Sequence, residues 1–204
     1  MKILFAAFDP FGGAKINPAD EAVSRLPEEI SGADIIKIQI PTMFVEDGKV
    51  LEEAIRENRP DAVVCVGMAG GRSHVSVEQV AINLIEARIP DNAGKQPTGV
   101  SVIEGGPTAY FSTLPVKAIV EEMKNNQIPA KISYTAGTFV CNDIMYRLLH
   151  LIDTQYPDMQ GGFIHVPYLP EQVLEMNEEK PSMSLPMMEQ ALEAAAMAIA
   201  ESAQ

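Results

Sequence analysis

Cysteine and histidine are the residues here best suited to nucleophilic chemistry, and both are scarce. The chain has Cys65 and Cys141, and His74, His150 and His165. Cys141 lies in TAGTFVCNDIMYRLLH (135–150). That segment reads as a strand end, a small-residue turn at Ala136-Gly137-Thr138, and a helix beginning near the cysteine. A thiol at a helix N-terminus sits at the positive end of the dipole, which favours the thiolate. The free N–H groups of such a turn can hold an oxyanion. Elsewhere a cysteine is usually a small buried hydrophobe. Cys65, inside AVVCVGM, reads that way. His165 sits in GGFIHVP, at the carboxyl end of a strand. His150 falls late in a helix and reads as structural or surface, and His74 follows Gly-Gly-Arg in a polar, solvated loop.

The 24 positions from Cys141 to His165 match one helix plus one return strand. This spacing predicts a βαβ unit with parallel strands. Thiol and imidazole would then meet at one sheet edge, where α/β enzymes keep their sites, as a nucleophile–base pair. A third group should orient the imidazole. Glu78, Glu86 and Asp91 all follow the apolar strand 62–68, and spacing does not choose among them.

The elements that must position these groups alternate. Strands are expected at 2–8, 34–40, 62–68, 131–135 and 161–166. Helices are expected from Asn17-Pro18, an N-cap followed by proline, to about Arg25, and at 47–58, 115–126, within 138–153 and at 185–203. Residues 76–88 show strand character at VAINLI, and 90–108 is a Gly/Pro-rich stretch. Fully apolar strands such as AVVCVGM suit a sheet covered on both faces. The expectation is one domain over 1–204: an α/β, three-layer α/β/α fold of the phosphorylase/hydrolase-like kind, with a largely parallel, mixed, twisted sheet.

Bulk properties narrow the function. The 204 residues are 47% apolar and 21% charged, with a formal charge of -13, a globular composition. The acidic balance argues against nucleic acid and against anionic membranes. The N-terminal MKILFAAFDPFGG is too short in its apolar run for a signal peptide, and no stretch reaches membrane-spanning length. A cytoplasmic location with reduced thiols is expected. Neither HExxH nor paired-cysteine spacing is present, so no metal is expected. GMAGGR fits no phosphate-loop pattern.

Several blocks together resemble the pyroglutamyl-peptidase I (pyrrolidone-carboxylate peptidase) family. They are FDPFGG (8–13) with Asn17-Pro18, GMAGGR (67–72), EQVAIN (78–83), ARIPDNAG (87–94), GGPTAYFSTLP (105–115), TAGTFVCN (135–142) and GFIHVPYLPEQ (162–172). The resemblance implies a cofactor-free cysteine omega-peptidase that removes N-terminal pyroglutamyl residues from peptides through a thioester. It implies Cys141 as nucleophile, His165 as base and Glu78 as third member. It also implies Phe8, Phe11 and Phe139 around the lactam ring, Arg88 near the site, and a homotetramer. Four positions depart from the family pattern. Gln79 stands for arginine, Met68 for glutamine and Ala7 for glycine, and Asp143 places an acid within a turn of the thiol, where it should raise the thiol pKa. The alternatives are a related thiol amidase or thioesterase with a drifted pocket, and a non-catalytic small-molecule-binding homologue.

Overall fold

The computed structural model describes residues 1–174 and 176–202. In its first half the chain forms β1 (Lys2–Phe8), α1 (Pro18–Ser24), β2 (Glu29–Ile30), β3 (Ala33–Ile40), α2 (Glu46–Asn58), β4 (Ala62–Met68), β5 (Val75–Glu78), β6 (Val80–Ile82) and β7 (Ile85–Glu86). The second half adds β8 (Thr98–Val100), β9 (Ala109–Phe111), α3 (Val116–Asn125), β10 (Ala130–Ser133), α4 (Val140–Gln155), β11 (Gln160–Val166), α5 (Pro170–Leu174) and α6 (Leu185–Ser202). The long elements match the alternation in the sequence. The short strands β2, β8 and β9 and the helix α5 carry too few residues to show a period. Residue 203, in the expected last helix, lies outside the described residues.

Side-chain alternation divides the core into two layers. On β1, Ile3, Phe5 and Ala7 join one apolar cluster, which also holds core residues of α1, α3 and α6. Leu4, Ala6 and Phe8 join the other, shared with α2 and α4. A period of two produces this division wherever both sheet faces are covered. The result is a three-layer α/β/α domain. Asn17 caps α1 as expected, accepting from the Ala19 N–H at 3.0 Å.

The main sheet has seven strands in the order β10-β5-β11-β4-β1-β3-β2. Strands β3, β1, β4 and β11 run parallel. Strand β5 pairs antiparallel with β11, and β10 pairs parallel with β5. Strand β10 therefore runs opposite to β11, which corrects the simple parallel βαβ expected from the spacing. The cause is the short connection 69–74. It returns the chain into β5 from the edge where β4 ended, and too few residues are present for a crossover. Residues 134–139 then lead from β10 to the start of α4.

Candidate active site

Strand alternation selects the face on which the polar groups gather. On β5, Val75 and Val77 enter the cluster beneath α1, α3 and α6, so Ser76 and Glu78 point to the α4 side. On β11, Ile164 and Val166 enter that same cluster, so Phe163 and His165 also face α4. Glu78 is opposite Phe163, and His165 opposite Ser76. Glu78 and His165 are thus diagonal neighbours across an antiparallel pair, within reach of long side chains.

They meet. His165 Nδ1 and Glu78 Oε1 are 2.8 Å apart. Neither group is open to solvent, Glu78 being 0% and His165 4% exposed. Arg72 Nη1 donates to the same Oε1 at 2.8 Å, and its Nη2 reaches the Thr135 carbonyl at 3.4 Å. Burial opposes ionisation of Glu78, but the bond and charge of His165, helped by the hydrogen bond from Arg72, hold its carboxyl below the usual range. Burial also lowers the His165 pKa, with Arg72 acting in the same sense against the pull of Glu78. The ring is therefore neutral near pH 7. Among the described residues its side-chain hydrogen bond is made through Nδ1, so the proton belongs on Nδ1 and Nε2 is left as the basic nitrogen.

Cys141 is the second residue of α4. The helix begins there because Phe139 is extended and its carbonyl accepts the N–H groups of Asn142 and Asp143. The N–H groups of Val140 and Cys141 have no acceptor within the helix, as at any helix start. Asn142 fixes the position of this turn. Its side chain accepts from the Ile82 N–H at 2.9 Å and donates to the Ile82 and Leu84 carbonyls. Gly67, the register partner of His165 on β4, supplies the necessary room: a Cβ there would lie 3.2 Å from the Cys141 sulfur and 2.7 Å from the Phe163 ring. Cys141 at the head of α4 and His165 on β11 thus line one cavity. The route differs from the βαβ expected from the spacing, since β10 and β11 run in opposite directions.

The thiol is not a resting thiolate. Burial among protein atoms, with the Glu78 and Asp47 charges, pushes its pKa up to about 12. The helix start alone does not offset this, contrary to the expectation from sequence. The carboxylates adding to the effect are Glu78 and then Asp47, not the expected Asp143. Asp143 is buried, and Arg147 Nε pairs with its Oδ2 at 3.0 Å. Burial, then the Asp143 charge, raises the Asp47 pKa to about 9.

Cys141 and His165 open onto one cavity of about 490 Å³, within the range of small-ligand sites. Phe8, Phe11, Phe139 and Arg88 line it, as do Met68, Arg72 and Tyr168. Phe139 is set between Phe11, with centroids 6.5 Å apart, and Phe44, at 5.3 Å and nearly perpendicular. Glu78 stands behind His165, outside the lining. The other two carboxylates do other work. Asp91 organises a loop, accepting from the N–H groups of Phe44, Ala93 and Lys95. Glu86 lines the cavity and accepts from the Gly99 N–H at 2.7 Å.

Of the four departures from the family pattern, Met68 alone lines the cavity. Ala7 is core, and Gln79 is held at its backbone by Ser133 and Ser112. Cys65 is fully buried in the core, as read. His150 bonds the Tyr110 hydroxyl at 2.9 Å and stacks on Tyr146, a structural role. His74 is partly buried rather than solvated. Arg72, Asn142, Phe44 and Asp47 were not singled out from the sequence. Arg72 and Asn142 stand inside the matched blocks GMAGGR and TAGTFVCN, which was the available signal.

Comparison with known proteins is consistent across sequence and structure. The family model described as pyroglutamyl peptidase matches residues 1–202. A pyrrolidone-carboxylate peptidase from Enterococcus faecalis is 62% identical over 175 residues, 86% of this chain and 82% of the relative. One from Bacillus velezensis is 52% identical over 200 residues, covering 98% and 92%. The crystal structure of pyroglutamyl peptidase I from Bacillus amyloliquefaciens superposes with a TM-score of 0.95 at 50% identity, covering 98% of this chain and 94% of that one. A mutant pyrrolidone carboxyl peptidase from Pyrococcus furiosus gives 0.97 at 41% identity, with both chains fully covered.

Proposed function

The chain belongs to the pyroglutamyl peptidase family and is a cysteine peptidase of the omega type, and from that premise we propose that Cys141, His165 and Glu78 carry out its reaction. The observation that carries this reading is the 2.8 Å Glu78–His165 bond. It puts the ring proton on Nδ1 and leaves Nε2 free to act as a base in the cavity that Cys141 also lines.

The substrate is a peptide whose N-terminal residue is a five-membered lactam. The Phe8, Phe11 and Phe139 rings give that uncharged ring an apolar slot. An ordinary N-terminus would have to bury an ammonium there, at a large desolvation cost. His165 Nε2 takes the Cys141 proton as sulfur attacks the pyroglutamyl carbonyl carbon. Such nucleophile–base hydrogen bonds tighten on substrate binding. The thiol's high resting pKa makes this a coupled transfer that yields a thiolate–imidazolium pair. Glu78 stabilises the imidazolium without taking its proton. The Val140 and Cys141 N–H groups hold the oxyanion. The C–N bond then breaks, and the Nε2 proton passes to the departing amine. Water, giving a proton to Nε2, attacks the thioester carbonyl. Pyroglutamate leaves, and the proton returns to sulfur.

A homotetramer in the cytoplasm completes the proposal. Family resemblance supports the assembly. So do large apolar side chains left at the surface, Phe111 at 70% and Leu174 at 83% exposure. No helix among the described residues is long and apolar enough to cross a membrane.

The direct test is amine release from a pyroglutamyl arylamide, with the prolyl and glutamyl arylamides as controls. Turnover of the pyroglutamyl compound alone, lost on thiol alkylation, is expected. Turnover of other acyl groups, with the pyroglutamyl compound untouched, would favour the drifted thiol amidase or thioesterase, with Met68 as the altered wall.

A further inference from the structure

A second cavity, of about 590 Å³, adjoins the catalytic one, and Phe11, Met68, Ile89 and Tyr168 line both. Ile16 and Met176 line the second cavity and not the first.

Its position relative to the catalytic groups assigns its occupant. His165 must protonate the departing amine, so the leaving peptide lies on the His165 side of the scissile bond. Met68 pairs with Val166, the residue after His165, and Tyr168 follows two positions later. These side chains lead from His165 into the second cavity. The lactam side is defined by Phe8 and Phe139, which line the catalytic cavity alone. The Tyr168 wall is tightly packed, since a Cβ on Gly70 would fall 2.1 Å from its ring. Ile89, at 41% exposure, presents an apolar side chain where the two cavities join. At the rim Lys15 and Glu171 are both present, so their opposite charges give no single-sign preference.

We propose that this second cavity is a leaving-peptide subsite that takes an apolar side chain on the residue following the pyroglutamyl group. The proposal rests on the reading of the chain as a pyroglutamyl peptidase. Ile16, Met68, Ile89, Tyr168 and Met176 supply the contacts. An aliphatic side chain at this position gains by leaving water, whereas glycine gains nothing.

The test uses the full chain and three substrates: pyroglutamyl-leucine amide, pyroglutamyl-glycine amide and a pyroglutamyl arylamide. In the wild type kcat/KM for the leucine compound should exceed that for the glycine compound by about fivefold or more, mainly through KM, the size of effect a few methylenes produce. Met176→Glu and Ile16→Asn should each lower that leucine-to-glycine ratio at least about threefold. Because the ratio is taken within one protein, partial misfolding does not change it. Met176→Ser gives a milder check. Equal rates on both dipeptide amides in the wild type, or a ratio unmoved by all three variants, would overturn the subsite while leaving the peptidase reading intact. An unmoved ratio with an altered oligomeric mass by light scattering would make this face a contact between copies, which also overturns it. No turnover of any substrate would remove the peptidase reading and the subsite with it.

Discussion

His165 and Glu78 are 87 positions apart in sequence, yet their side chains bond at 2.8 Å across a single antiparallel strand pair. The bond is fully buried, so it is not screened by salt and its geometry is held by packing. It determines which ring nitrogen is basic. Arg72, bonded to the same Glu78 oxygen, keeps that carboxyl ionised and offsets part of its charge.

Replacing Glu78 by Gln should therefore damage chemistry more than binding. We expect kcat to fall by roughly 10²–10⁴ with KM little changed, because the ring loses its tautomer control and its counter-charge. Steady-state kinetics on the arylamide checks this. Wild-type kcat would remove Glu78 from the machinery.

Arg72 should act through the pH profile. Its cation lowers the His165 pKa, so Arg72→Gln should move the acid limb of kcat/KM upward by about 0.5–1 pH unit. Arg72→Lys keeps the charge and should leave the limb nearly in place. A limb that shifts equally in both variants would show that geometry, not charge, is Arg72's contribution.

Cys141→Ala should abolish turnover, a loss of at least ~10³-fold, with the melting temperature close to wild type. Turnover well above background would exclude Cys141 as the nucleophile.

Phe139→Ala should raise KM for the pyroglutamyl arylamide about tenfold, with a smaller effect on kcat, since the ring lines the catalytic cavity where we propose the lactam binds. Phe44, which meets Phe139 edge-on, should show a weaker version of the same effect when truncated.

Asp47 offers a stability test. Its folded pKa of about 9 lies above the unfolded value of 3.8. A raised carboxyl of this kind favours the folded state most below the unfolded value, and that contribution is lost as pH rises through the folded one. Asp47→Asn keeps an oxygen for the Gly48 N–H, which Asp47 Oδ1 accepts at 2.6 Å, and carries no charge toward Asp143. We expect stabilisation of about 1–3 kcal/mol, larger at pH 8 than at pH 4.5. Equal melting shifts at both pH values would mean that Asp47 is not held protonated.

How much of this was legible in sequence depended on the range of the signal. AVVCVGM and KILFAAF are apolar throughout and announce strands buried on both faces. TAGTFVCN marks a strand-to-helix turn at the thiol. Those features are local. Strand order is not, and nothing in the spacing from Cys141 to His165 shows that β5 lies between β10 and β11. The choice of Glu78 over Glu86 and Asp91 was equally non-local. It depends on the β5–β11 register, which places Glu78 diagonal to His165, and on Asp91 being occupied by three backbone N–H groups. Arg72 sits in a glycine-rich loop whose course no periodicity describes. Asp143 was visible as an acid near the thiol, but Arg147 one turn on and Asp47 from another helix set its actual environment.

Strand β11 lies between β4 and β5, both of which precede it by more than 80 residues. During synthesis the sheet must wait with two open strand edges until residue 166 has emerged. Such edges are the surfaces through which incomplete chains pair with one another. The strand that closes them also carries His165, the proposed base, so on that reading a growing chain gains peptidase activity only once its sheet is sealed.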